Sequence, residues 1–138
     1  MIEGDILTIL EADTTLDTLL SAVSGDSKIY PVRIMQVGEG ETLCQPPYIL
    51  YQNAIGMEDE ILDEDRIQFT IVAVTMLEVR NIRNRIKVLL DKQDEIQPVT
   101  SSTYWIYYSK LVDGGDGVEA DLGYFTTTMT FVIKYKTK

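Results

Sequence analysis

Six carboxylates fall within eight residues, at Glu58, Asp59, Glu60, Asp63, Glu64 and Asp65. Carboxylates this dense can hold divalent cations, and a pair of ions would support hydrolysis if rigid elements brought the oxygens together. A run this charged cannot be packed in a core. It reads as a turn or mobile loop, which favours a solvated segment over a metal site. The Gly-rich segment Asp113 to Asp121 offers further oxygens at Asp113, Asp116, Glu119 and Asp121. It lacks the EF-hand ligand order and reads as a hairpin tip. Its glycines precede a strand, whereas phosphate-cradling glycines open a helix, and no Gly-Lys-Ser or Gly-Lys-Thr occurs.

Nucleophilic chemistry finds little to work with. The chain has no His, which removes the usual general base near neutral pH and the commonest metal ligand. Ser-His-Asp and Cys-His arrangements are impossible within it. Cys44 is the single cysteine and has no basic neighbour in sequence, so it reads as an inert thiol in a reducing interior. No cofactor is expected.

Charge of the other sign gathers at Arg80, Arg83, Arg85 and Lys87. Three readings stand beside one another. The residues can form a solvated helix face, supported by the helix dipole. They can form a nucleic-acid patch. Or they can pair with the acidic run of a neighbouring copy, giving a heterologous contact that closes a ring. The aromatic run Tyr104-Trp105-Ile106-Tyr107-Tyr108 puts Tyr104, Ile106 and Tyr108 on one strand face, and Trp105 and Tyr107 on the other. Base stacking is imaginable, but a central strand, or one covered by a neighbouring subunit, explains it better.

These residues need elements to hold them. Ile6, Leu7, Ile9 and Leu10, then Leu16, Leu19, Leu20 and Val23, recur at helical spacing. This predicts helices over 5–11 and 16–23, with Thr14 or Thr15 capping the second. Lys28 to Met35 contains Pro31 and reads as an edge strand. Strands follow over Tyr48–Ile55 and Arg66–Thr75. Glu78–Asp91 is a helix with the stripe Val79, Ile82, Ile86, Leu89 and Leu90, and the basic residues lie off that stripe. Ser102–Leu111 is a strand, Asp113 to Gly117 a turn, and Leu122–Tyr135 a long final strand. Its Phe125, Thr127, Met129, Phe131, Ile133 and Tyr135 share one face. The order is α-α-β-β-β-α-β-β. The expected fold is α+β, a mostly antiparallel sheet of four to five strands packed by helices on one face.

Length and composition set the outer bounds. The chain has 138 residues and 15.6 kDa, with 45% hydrophobic and 25% charged residues. That is one domain, 1–138, with no disordered or disulfide-scaffold signature. Twelve basic against 22 acidic residues give −10 at pH 7. Such a chain is a poor nonspecific DNA binder and is repelled by anionic membranes. It has no apolar run of spanning length and no basic region before its first apolar stretch, so a cytoplasmic setting is expected.

The layout resembles the tail terminator, or tail completion (head-to-tail joining), proteins of tailed bacteriophages. The resemblance covers nearly the whole chain. An N-terminal helical segment leads into Lys28-Ile29-Tyr30-Pro31, similar to that family's Ile/Val-Tyr-Pro entry to its first strand. Pro47-Tyr48-Ile49-Leu50-Tyr51 resembles its Pro-Tyr-hydrophobic strand. The strand Arg66–Thr75, the helix Glu78–Asp91 and a long terminal strand follow. The acidic segment 58–65 and the Gly-rich segment 113–121 depart from the commonest pattern. The resemblance implies a non-enzymatic homo-oligomer, usually a hexameric ring, that caps the tail-tube protein and ends its polymerisation. The ring would join the head connector protein, and DNA would pass through its lumen without specific binding. Assembly would occur in the host cytoplasm, and the ring would then sit in the virion tail or neck. An acidic ring, about sixty formal negative charges for six copies, would keep DNA from sticking. On this view Glu58, Asp59, Glu60, Asp63, Glu64, Asp65, Arg80, Arg83, Arg85 and Lys87 are interface or lumen residues. The competing readings are a head-completion or connector protein on the portal side, a generic acidic protein-interaction module, and a metal-dependent hydrolase built on the acidic segments.

Overall fold

The computed structural model describes residues 3–21, 28–31, 46–58, 63–91, 104–119 and 124–137. Its elements are α1 (Glu3–Glu11), α2 (Thr14–Leu20), β1 (Ile29–Pro31), β2 (Tyr48–Glu58), β3 (Asp63–Ala73), α3 (Met76–Leu90), β4 (Tyr104–Glu119) and β5 (Tyr124–Thr137). The described strands form one five-stranded sheet in the order β1-β2-β3-β5-β4. All pairings are antiparallel except β1 with β2, which is parallel. The helices cover one face. The α+β expectation and the element order both hold.

The two periods of the sequence explain the layers. In β3 and β5, Ile67, Phe69, Ile71, Met129, Phe131 and Ile133 are buried and alternate with more exposed residues. They meet Ile82, Ile86 and Leu90 of α3, which with the buried Val79 repeat every three or four residues along the helix. Ile6, Leu10, Leu16 and Leu20 of α1 and α2 complete the same core. Phe69 and Phe131 touch edge to face at 6.0 Å, the aromatic geometry that adds to simple burial.

Several boundaries differ from the sequence reading, each for a physical reason. The segment 113–117 is not a turn, because β4 runs through it to Glu119 and pairs with β5 along its length. The run 58–65 is not wholly loop either. Glu58 ends β2 and Asp63–Asp65 open β3, with Glu58 opposite Asp63. In both places ladder hydrogen bonds to a neighbouring strand override weak strand propensity. β3 ends at Ala73, because Thr75 accepts a hydrogen bond from the Glu78 amide and caps α3. Asp13, and not Thr14 or Thr15, caps α2 by accepting from the Leu16 amide at 2.8 Å. Bulges between Ile106 and Tyr108 and between Leu111 and Asp113 interrupt the period of β4. The first puts Tyr108 on the face opposite Ile106, against the alternation expected for 104–108. The expected ends of the N-terminal helices at Val23 and of the edge strand at Met35, together with Cys44, Asp59, Glu60 and Asp121, lie outside the described residues.

Candidate assembly surfaces

α3 carries the basic residues, and the structure divides them. Arg85 turns toward α2. Its Nε donates to Asp13 Oδ2 at 2.8 Å and its Nη2 to Asp13 Oδ1 at 2.6 Å. This two-pronged pairing fixes α2 on α3. The Arg85 hydrogen bonds hold the Asp13 carboxyl below its ordinary pKa, and Asp13 raises that of Arg85. Asp13 is a structural anchor that sequence reasoning passed over. Its signal was there, since Asp outranks Thr as a helix cap.

Arg80, Arg83 and Lys87 stay on the surface of α3. Arg80, Arg83 and Asn84 line a cleft of about 360 Å³ whose other wall is Gly114 and Gly115 of β4. Neither arginine forms an ion pair or hydrogen bond with another described residue. β4 lies at the sheet's edge, with β5 its one partner among the described strands. The two glycines differ. A Cβ on Gly114 would stand 2.7 Å from the Thr128 carbonyl oxygen, so close strand approach requires glycine there. A Cβ on Gly115 would meet nothing within 4 Å.

The described acids sit elsewhere. Asp63, Glu64 and Asp65 pair with Tyr135, Lys134 and Ile133 of β5. The Tyr135 hydroxyl donates to Asp65 Oδ2 at 3.2 Å. Burial first, and the Asp65 charge second, push the Tyr135 pKa well up. Gly114 pairs with Met129, and Met129 with Phe69, four residues past Asp65. At about 3.3 Å per residue Asp65, the nearest of these acids, lies ~13 Å along the sheet from the arginine cleft. One chain therefore does not bring Asp63–Asp65 and Arg80–Arg83 together. Among the described residues no group of three or more acids or cysteines converges as a metal ion needs. No described helix is long and apolar enough to cross a membrane.

A second basic surface lies on the sheet face away from the helices. Lys110 and Arg66 flank Val132 in one cross-strand row, and Lys134 lies between Tyr108 and Glu64 in the next. Lys134 approaches the Tyr108 ring at 5.3 Å, a cation–π distance. The alternation of Lys134 and Lys136 with the buried Ile133 and Tyr135 carried this signal in the sequence. Among the described strands the aromatic run lies on an edge strand, not a central one. Trp105 and Tyr107 are 38% and 41% exposed.

No protein-family model and no curated protein matches the chain. Among solved structures, the fold is shared with a chain of the "Virion of native gene transfer agent (GTA) particle", at a TM-score of 0.69. The match covers 99% of this chain and 95% of that one, at 9% sequence identity.

Proposed function

We propose that the chain, a single domain over 1–138, is a virion structural protein of a tailed phage or prophage, and specifically its tail terminator subunit. The observation that carries this is the end-to-end fold match to a virion chain, taken with the resemblance in strand motifs and element order. The protein acts by assembly and not by catalysis. Copies close into a hexameric ring on the finished tail tube, stop its growth and present the surface that the head connector joins. The −10 chain makes the ring's lumen inert toward passing DNA, since like charge repels phosphate. The interface draws on the acids at 58–65 and the cations of α3. Assembly takes place in the host cytoplasm, and the ring remains in the neck of the virion.

The test is tube growth. Purified protein added to polymerising tail-tube protein should give short, capped tubes of fixed length, and it should be retained by the tube protein in a pull-down. Retention by the portal or connector with no effect on tube length would replace this reading with the head-completion one. Retention by neither would leave an acidic interaction module.

A further inference from the structure

The chain carries two sets of like charges, a pair of arginines on α3 and acids at paired positions of β2 and β3. Arg80 and Arg83 stand three residues apart on one helix, so they are surface neighbours that repel. They have no anionic partner among the described residues. Arg85 shows that this helix can place an arginine on an acid when the fold calls for it. At the end of the β2–β3 hairpin the strand register sets Glu58 opposite Asp63. Like charges at directly opposed strand positions are destabilising. The arginines repel within one copy, and a carboxylate is what they lack among the described residues.

The cleft adds shape to charge. Arg80, Arg83 and Asn84 supply donors along one wall, and Gly115 leaves the other wall bare. Packing does not require glycine at 115, because a Cβ there meets nothing. Glycine inside a strand weakens it, so the open wall needs another reason, and access for a ligand supplies one.

We infer that the cleft between α3 and the Gly114-Gly115 segment of β4 is an acceptor site for carboxylates of a second copy, supplied by the acid-rich end of its β2–β3 hairpin at Glu58 and Asp63. This deepens the ring reading above and rests on it. The contact is heterologous, since donor and acceptor are different surfaces of one chain, and such contacts propagate around a ring. A side-chain carboxylate suits the paired guanidinium groups, which bind it through parallel hydrogen bonds. A nucleic acid is the competing occupant of the cleft, and the test below separates its phosphates from a second copy's carboxylates.

The test uses the full chain in native mass spectrometry and sedimentation velocity at low salt. The wild type should self-associate. R80E/R83E and E58K/D63K should each be monomeric, and an equimolar mixture of the two should recover association. G115V should fold and yet weaken association by about tenfold or more, because its side chain occupies the cleft. Oligomers that persist in both G115V and R80E/R83E would overturn the acceptor site and leave the ring standing. A wild type that is monomeric at every concentration would overturn both. A short DNA duplex retained by the wild type and released by R80E/R83E, without self-association, would overturn the inference in favour of nucleic acid.

Discussion

Two adjacent glycines should respond to the same substitution with opposite signs. Gly114→Ala places a Cβ 2.7 Å from the Thr128 carbonyl oxygen, and the next atoms are also β5 backbone, Thr128 C at 3.8 Å and Met129 Cα at 4.0 Å. Ladder backbone cannot swing aside as a flexible side chain would. The strands must separate locally or lose a hydrogen bond, and overpacking of this kind costs about 1–3 kcal/mol. Gly115→Ala meets no atom within 4 Å, and its backbone is outside the left-handed region. It removes the entropy penalty of a strand glycine and should stabilise by about 0.4–1 kcal/mol. The two variants should therefore differ by about 1.5–4 kcal/mol. For a chain this long, 1 kcal/mol moves Tm by about 3 °C. Gly114→Ala should melt about 3–10 °C below the wild type, and Gly115→Ala about 1–3 °C above it. Urea unfolding followed by tryptophan emission reads the same ordering through its midpoints, with Trp105 the one tryptophan. Equal midpoints for the two variants, or destabilisation by Gly115→Ala, would refute the argument that close approach fixes glycine at 114 alone.

Asp13 should give the protein an acid-sensitive joint. Its folded pKa lies below the ordinary carboxylate value of 3.8, so its contribution is complete above that value and is lost as pH falls through the lower folded one. Asp13→Ala should destabilise by about 1 kcal/mol through the lost α2 cap alone, whereas Asp13→Asn keeps a capping oxygen and should chiefly flatten the stability profile below about pH 5; denaturant midpoints across a pH series check both. Phe131→Ala removes a fully buried ring that touches Phe69 at 6.0 Å, and should cost about 3–5 kcal/mol in the same unfolding assay.

How far the sequence could be read depended on where the decisive force was local. The helix stripe Val79-Ile82-Ile86-Leu90 and the alternation of β3 and β5 were legible, because burial against one layer imposes a period on the residues themselves. The extensions of β3 back to Asp63 and of β4 through Gly114 and Gly115 were not. They exist because a partner strand offers a ladder, and Asp, Glu and Gly argue against strand on their own account. The bulge at Tyr107 was also hidden, since the count of residues on β4 is set by its pairing with β5. At the candidate site, Arg80 and Arg83 were legible as cations off the apolar stripe. That Arg85 belongs to a different group was not, because its partner, Asp13, lies 72 residues away.

The edge strand β4 shows why this fold is suited to a specific contact and not to indiscriminate pairing. Among the described strands the opposite edge is β1, whose Pro31 has no amide hydrogen to offer a ladder. β4 has sixteen residues and is the longer exposure. Its two bulges fall at Tyr107 and Val112, and both residues are turned to solvent, 41% and 47% exposed. A bulge twists a strand and breaks its run of ladder groups, which spoils edge-to-edge addition of an arbitrary strand. The same device sets apolar side chains along the edge just before the arginine cleft begins at Gly114. A partner that docks here must match two irregularities and a pair of cations in order. That is a stronger filter than a flat edge with the same area, because a misplaced register would bury Arg80 and Arg83 without counter-charge.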